Sequence, residues 1–86
     1  MYTIKGDYFL TSSAHIVVIT ADTLYIIPLG YNPNYDDDEY DIVDIGGMLP
    51  DGRFLTRELL EEFRAKCSHY DEFELQERGI ENDKEM

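Results

Sequence analysis

The fold is decided by the stretch His15-Ile16-Val17-Val18-Ile19-Thr20. This run is rich in β-branched residues and too apolar to be half-exposed throughout, so it predicts the central strand of a sheet. Ala21-Asp22 separates it from a second apolar run, Thr23 to Leu29, which predicts its antiparallel partner. Because Pro28 cannot donate a ladder hydrogen bond, the second strand should end there or lie at an edge.

The segments on either side of this pair also predict strands. Tyr2 to Lys5 and Tyr8 to Thr11 flank Gly6-Asp7, and a two-residue loop with glycine first is typical of a type II′ hairpin. Tyr40 to Ile45 predicts one more strand. Leu49-Pro50-Asp51-Gly52 predicts a turn, because proline presets φ at the second position and glycine suits the fourth.

A helix is predicted from Arg57 to about His69, with Thr56 as its N-cap. Leu55 and Leu60 occupy the positions of a hydrophobic staple, which fixes the direction from which the chain joins a helix. An apolar stripe at helical spacing supports the prediction. Its members are Leu59, Leu60, Phe63, Cys67 and Tyr70.

The segment Glu72 to Arg78 fits two structures. As a second helix it would have Asp71 as its N-cap and Glu74 as the return partner of a capping box. As a strand it would alternate Phe73 and Leu75 with polar and charged residues. The capping signals lead us to predict the helix.

These elements predict a single α+β domain over residues 1–86, a small, mostly antiparallel sheet packed by one or two C-terminal helices. Residues 1–55 form the β-rich part, residues 56–80 the helical part, and residues 81–86 a frayed acidic tail. A chain of this length buries roughly 60–65% of its unfolded surface. It therefore has little material for both a core and a sequestered active site.

The composition is strongly acidic. Nineteen Asp and Glu against seven Lys and Arg give a net charge of −12 and a pI near 4.2. The chain is nevertheless 43% hydrophobic, with seven Tyr and four Phe, so it should fold rather than remain disordered. A fixed negative surface disfavours direct binding to nucleic acid or to an anionic membrane. We therefore expect partners with basic surfaces.

The single cysteine, Cys67, excludes an internal disulfide and indicates a reducing compartment. The first residues show no basic region followed by an apolar one, so we expect no secretory signal. The longest apolar runs are four residues, far below a membrane span. We expect a soluble protein of the cytoplasm, that of a host cell if it is phage-encoded.

The most unusual segment is Tyr31 to Asp44, where acids and tyrosines are interleaved. Residues 35–51 contribute seven acids and no base, whereas residues 1–34 contribute a net charge of only −1. An extended chain rises about 3.3 Å per residue, so consecutive acids would be spaced much like the phosphates of one DNA strand, about 3.4 Å apart. The alternative is a solvated acidic loop that serves only solubility. Charges needed only for solubility, however, would be interspersed along the chain rather than gathered in one block.

We predict that this acidic segment binds a partner, with carboxylates pairing with Lys or Arg and tyrosines supplying rigid contact area. The predicted partner-binding residues are Tyr35, Asp36, Asp37, Asp38, Glu39, Tyr40, Asp41 and Asp44.

Other chemistry finds weaker support. An EF-hand loop started at Asn32 or Asn34 fails at its sixth and twelfth positions, so no calcium site is predicted. The few imidazole and thiol groups form no metal-ligand pair. Ser12, Ser13, His15 and Asp22 are the residue types of a hydrolase, but no nucleophile elbow accompanies them. We expect no catalytic residue, no metal, no cofactor and no enzyme activity.

In composition alone the chain resembles phage-encoded inhibitors such as anti-restriction and anti-CRISPR proteins, a resemblance that covers no motif and carries over no residues. It implies a small acidic inhibitor that blocks a nucleic-acid-handling protein by occupying its basic groove, in the manner of a phosphate mimic. The first alternative is an immunity protein or antitoxin that neutralises a basic toxin, which would use the same electrostatics. The second is a non-enzymatic structural or assembly subunit. The sequence leaves open whether the protein is a monomer or a homodimer.

Overall fold

A computed structural model describes residues 2–35 and 38–76, and in them the chain forms an antiparallel sheet of five strands with one helix. The sheet order is β4-β3-β2-β1-β5. This confirms an α+β domain. In chain order the elements are β1 (Tyr2–Leu10), β2 (His15–Thr20), β3 (Thr23–Pro28), β4 (Asp41–Asp44), α1 (Arg57–Lys66) and β5 (His69–Leu75).

The central hairpin forms as predicted. β2 lies in the middle of the sheet, and its three consecutive apolar residues 17–19 are buried. Thr20 pairs with Thr23 across a two-residue turn in which Ala21 adopts a positive φ of 54°. β3 ends at Pro28, which pairs with His15. The turn at residues 49–52 also forms, because the Gly52 N–H donates to the Leu49 carbonyl at 2.9 Å.

The predicted turn at Gly6-Asp7 is wrong, since β1 runs unbroken from Tyr2 to Leu10. Its second half, from Asp7, pairs with β2, and its residues 2–8 pair with β5. Gly6 serves close packing rather than a turn: a Cβ there would lie 2.4 Å from the carbonyl oxygen of Ile19. Glycine inside a strand is typical where another backbone approaches closely.

The predicted helix begins correctly but is shorter than expected. The Thr56 side chain caps it by accepting the Leu59 N–H at 3.1 Å. The helix ends at Lys66 because Cys67 already has extended backbone angles. Leu55 and Leu60, the staple positions, are both fully buried in one hydrophobic cluster.

The second predicted helix is wrong, because residues 69–75 form strand β5. β5 pairs with β1 along its whole length, from Tyr2 opposite Leu75 to Tyr8 opposite His69. These pairs satisfy the backbone groups of β5 that face β1, and the strand alternation of its apolar residues outweighs the capping signals. Tyr70, expected on the helix stripe, is 66% exposed on this strand. The rest of the predicted helix, residues 77–78, its predicted C-terminal cap at residues 79–80 and the predicted tail lie outside the described residues.

The two faces of the sheet carry separate apolar clusters, as the alternation along β2 shows. Val17 and Ile19 belong to one cluster and Val18 to the other. Leu49, Leu55 and the helix residue Leu60 cover the first face, which we call the helix face. The second face, the loop face, is covered by Tyr31 and Tyr40. Its cluster contains Ile4, Tyr8, Ile16, Val18, Tyr25, Ile27, Tyr31, Tyr40, Ile42, Phe73 and Leu75.

Candidate partner-binding surface

Three tyrosines of the acidic segment converge on Gln76, the residue that follows β5. The Tyr40 hydroxyl donates to the Gln76 carbonyl at 2.7 Å, and the Gln76 N–H donates to the Tyr31 hydroxyl oxygen at 3.0 Å. The Gln76 side-chain amide donates to the backbone carbonyl of Tyr35. We call this arrangement the tyrosine clamp. It fixes the described residues of the loop between β3 and β4, residues 29–35 and 38–40, against the end of the edge strand β5.

The clamp changes the role of Tyr40. Its side chain is only 2% exposed, with its ring packed edge-on against Tyr31 at 5.6 Å and tilted against Tyr25 at 6.4 Å. The expectation that Tyr40 packs beside a partner is therefore wrong, because its ring lies in the core of the loop face. Tyr35, by contrast, is 62% exposed and remains a candidate contact.

The loop is folded into turns rather than extended. The side-chain oxygen of Asn32 accepts a hydrogen bond from the Asn34 N–H at 2.9 Å. The backbone carbonyl of Asn32 accepts one from the Tyr35 N–H at 3.1 Å. The Asp38 N–H donates to the Tyr35 carbonyl at 3.2 Å. The predicted spacing of consecutive acids rests partly on Asp36 and Asp37, which lie outside the described residues.

The predicted acids fall into three groups. Asp36 and Asp37 lie outside the described residues. Asp38 is half-buried and accepts the Asn32 N–H at 2.9 Å, so it shapes the loop, whereas Glu39 is exposed. A carboxylate engaged in this way contributes less to a partner surface than one that faces solvent.

The two predicted acids of β4 do not share one environment. Asp44 is exposed and accepts a hydrogen bond from the Thr23 hydroxyl at 2.8 Å. Asp41 is half-buried and lines a groove on the helix face, the face opposite to the tyrosine clamp. The structure therefore brings Tyr35, Asp38 and Glu39 together in the loop and places Asp41 elsewhere.

The sequence prediction missed the acids of β5. Asp71, Glu72 and Glu74 are all exposed on this strand. Within residues 2–35 and 38–76 no lysine or arginine forms an ion pair with them. The strand alternation of residues 72–75 was the signal that could have found them. Phe73 and Leu75 belong to the cluster of the loop face, so by strand alternation Asp71 lies on the loop face and Glu72 and Glu74 lie on the helix face.

A cleft of about 330 Å³ separates the loop from β5. Glu72, Phe73, Glu74 and Leu75 form its strand side. Gly30, Tyr31 and Pro33 belong to its loop side, and Ile16 and Ile27 to its apolar floor. Such a cleft can take an apolar side chain.

A larger groove of about 540 Å³ lies on the helix face and contains the hydrolase-type residues Ser12, Ser13 and His15. Ser13 Oγ and His15 Nδ1 are 3.2 Å apart. Asp22, however, lies beyond the opposite end of β2, where it pairs with Arg57 at 3.2 Å. The four candidate residues are therefore not assembled into a triad.

Cys67 packs against the cluster of the helix face. Burial, together with the charge of Asp7, raises the pKa of its thiol. A thiol with a raised pKa stays protonated at neutral pH and is a poor nucleophile. This agrees with a packing role.

In the described part of the chain, no three His, Cys, Asp or Glu side chains are grouped so that they could hold a metal ion. No helix there has the length and apolar character needed to cross a membrane.

No protein-family model, no curated protein and no solved structure matches this chain.

Proposed function

We propose that this protein is a small acidic inhibitor that binds a nucleic-acid-handling protein and blocks its basic groove. The observation that carries the proposal is the tyrosine clamp at Gln76. It joins the acidic loop to β5, whose Asp71 lies on the loop face by alternation with Phe73. A partner that binds this face would meet the loop and Asp71 together, although they are far apart in the sequence.

The clamp also supports the proposal through preorganisation. A loop held by hydrogen bonds to Tyr31, Tyr35 and Tyr40 loses less conformational freedom on binding than a free one. Exposed carboxylates on such a surface attract Lys and Arg, speed association and make the affinity fall with salt. The exposed ring of Tyr35 adds a rigid aromatic contact beside the charges.

The experiment compares two variants with the same change in charge. The first, Asp36→Asn/Asp37→Asn/Glu39→Gln, neutralises the loop and keeps Asp38, which the Asn32 N–H needs as an acceptor. The second, Glu58→Gln/Glu61→Gln/Glu62→Gln, neutralises the exposed outer face of α1. Tagged forms of the unmodified protein and of both variants would capture partners from an extract of source or host cells, with elution by salt.

The captured protein would then be tested for binding to a labelled duplex or single strand, with and without each form. We expect the unmodified protein and the helix variant to block this binding. The loop variant should block roughly 3- to 140-fold less well, since three carboxylates are removed and a surface charge pair contributes about 0.2–1 kcal/mol. Nucleic-acid binding that is unaffected by the protein, or equal potency of both variants, would contradict the proposal. A captured toxic nuclease that is neutralised would indicate the immunity-protein alternative.

A further inference from the structure

The outer edge of β5 has the features of a docking strand. β5 is seven residues long, contains neither proline nor glycine, and pairs with β1 without a bulge. No strand of the described residues pairs with its other side. The opposite edge strand, β4, has only four residues. Long, regular edges are templates for an additional strand.

The hydrogen bonds of β5 show which backbone groups point outward. The Glu72 N–H donates to the neighbouring Asp71 carboxylate at 2.7 Å, so it is not used for β1. In an antiparallel pair these directions alternate, so Tyr70 and Glu74 share the outward direction of Glu72. Gln76 continues the same alternation, and its N–H and carbonyl bind Tyr31 and Tyr40. The clamp therefore occupies the end of the edge, at Gln76. Residues 70–74 form the part of the edge that the clamp does not occupy.

The cleft between β5 and the loop lies on the inner side of β5, because Ile16 and Ile27 in its floor belong to β2 and β3. On the loop face, a strand added outside β5 would instead meet the half-buried Phe73 and the exposed Asp71. Glu72 and Glu74 alternate with Phe73 and Leu75 and face the other side of the sheet. An added strand would meet these two carboxylates on its other face.

We propose that this edge of β5 receives an extended segment of a basic partner protein as a sixth strand of the sheet. Alternate apolar side chains of that segment pack beside Phe73, and the intervening Lys or Arg side chains lie beside Glu72 and Glu74. This is strand addition, in which backbone hydrogen bonds contribute affinity and alternate side chains contribute specificity. The inference rests on the proposed function only for the basic character of the partner.

The charges of β5 argue against a second copy of this chain as the occupant. Two copies paired through β5 would bring Asp71, Glu72 and Glu74 of each strand near the same acids of the other. Like charges directly opposite one another destabilise a strand pair. A basic strand has the complementary charge at the same positions.

The test uses a synthetic eight-residue peptide of alternating Arg and Val, with blocked ends. Calorimetry would measure its affinity for the unmodified protein, and amide hydrogen exchange would be followed at Tyr70, Glu72 and Glu74. We expect saturable binding and slower exchange at these three amides. A peptide of alternating Glu and Val is the charge control and should not bind.

Two N-methylated peptides distinguish strand addition from charge attraction alone. One carries methyl groups on the Arg amides and the other on the Val amides, so that each has lost the donors of one edge. We expect one of them to lose binding and the other to keep it, because an added strand uses only one edge. Equal binding by both would overturn the proposal.

Variants of Glu72 separate its charge from its backbone. Glu72→Gln removes the charge, and Glu72→Pro also removes an N–H that is not used for β1. The double variant Glu72→Gln/Glu74→Gln should weaken binding about 2- to 30-fold, as expected for two cross-strand charge pairs. Glu72→Pro should weaken it by a further roughly 2- to 12-fold relative to Glu72→Gln, the effect of one hydrogen bond. If the proline variant does not fold, the methylated peptides still decide.

If something other than a basic partner covers the outer edge of β5, amide exchange in the free protein would show it. Slow exchange at residues 70, 72 and 74 that rises with protein concentration would mean that a second copy covers the edge. Slow exchange that disappears when residues 77–86 are deleted would mean that the chain covers its own edge, and either result overturns the proposal. Peptide binding at β5 with no effect of the protein on nucleic-acid binding would disprove the proposed function and leave this inference standing.

Discussion

The hydroxyl of Tyr40 donates a 2.7 Å hydrogen bond to the carbonyl of Gln76, which lies 36 positions further along the chain. Tyr40 directly precedes β4, at one edge of the sheet, and Gln76 directly follows β5, at the other. The bond therefore links the two edges of the sheet across its loop face. It makes the acidic loop part of the folded domain.

Loss of this hydroxyl should weaken the fold. We expect Tyr40→Phe to lower the free energy of unfolding by about 0.5–1.5 kcal/mol, because the Gln76 carbonyl loses its partner while the ring still fills the core. Urea denaturation would measure the change. Tyr35→Phe is the control, since the clamp uses the backbone of Tyr35 and its ring is exposed. Equal urea midpoints for both variants would show that the clamp does not contribute to stability.

Gly6 should tolerate no side chain. A Cβ at this position would lie 2.4 Å from the Ile19 carbonyl oxygen, so Gly6→Ala must push β1 away from β2. We expect a loss of about 1–3 kcal/mol, the usual cost of overpacking. Lys5→Gln, at the exposed neighbouring position, should stay within about 0.5 kcal/mol of the unmodified protein. Thermal unfolding of both variants would check this, and a stable Gly6→Ala protein would mean that the two strands are further apart than described.

The cap of α1 can be tested with a pair of substitutions. Thr56→Ala removes the oxygen that accepts the Leu59 N–H and should cost about 0.5–2 kcal/mol. Thr56→Ser keeps that oxygen and should restore most of the loss. If serine and alanine give the same free energy of unfolding in urea, the hydroxyl is not the source of the effect.

Features of the fold that depend on neighbouring residues could be predicted from the sequence. The β2–β3 hairpin, the turn at residues 49–52 and the Thr56 cap depend on neighbouring residues, and all three formed as expected. Gly6 has the same local signal as a turn glycine, and only the approach of Ile19, 13 positions away, reveals its packing role.

β5 and the clamp were missed for the same reason. The caps around residues 71–79 are local signals for a helix, whereas the pairing with β1 spans most of the chain. The acidic segment was recognised from its composition, but its turns and the burial of Tyr40 depend on Gln76. Nothing near Tyr31 or Tyr40 in the sequence indicates that partner.

The thiol of Cys67 should react slowly in the folded protein. Burial and the nearby charge of Asp7 raise its pKa, so the thiolate is scarce at neutral pH. We expect alkylation by iodoacetamide to be much slower than in urea at pH 7. As the pH rises, the thiol ionises in the unfolded chain before it ionises in the folded protein. The free energy of unfolding should therefore fall as the pH rises above about 8.5, the ordinary thiol pKa. A Cys67→Ala variant should lack this component, and an identical pH profile would contradict the assignment.

Salt should affect folding and binding in opposite directions. A net charge of −12 on an 86-residue domain causes self-repulsion in the folded state, and salt screens it. The ion pairs Asp22–Arg57, Asp51–Arg53 and Glu61–Arg64 involve exposed side chains, so they lose little when screened. We therefore expect the free energy of unfolding to rise between 10 mM and 500 mM NaCl, while the affinity for a basic partner or the Arg-Val peptide falls. Stability that also falls with salt would mean that attraction between charges, rather than repulsion, dominates the folded surface.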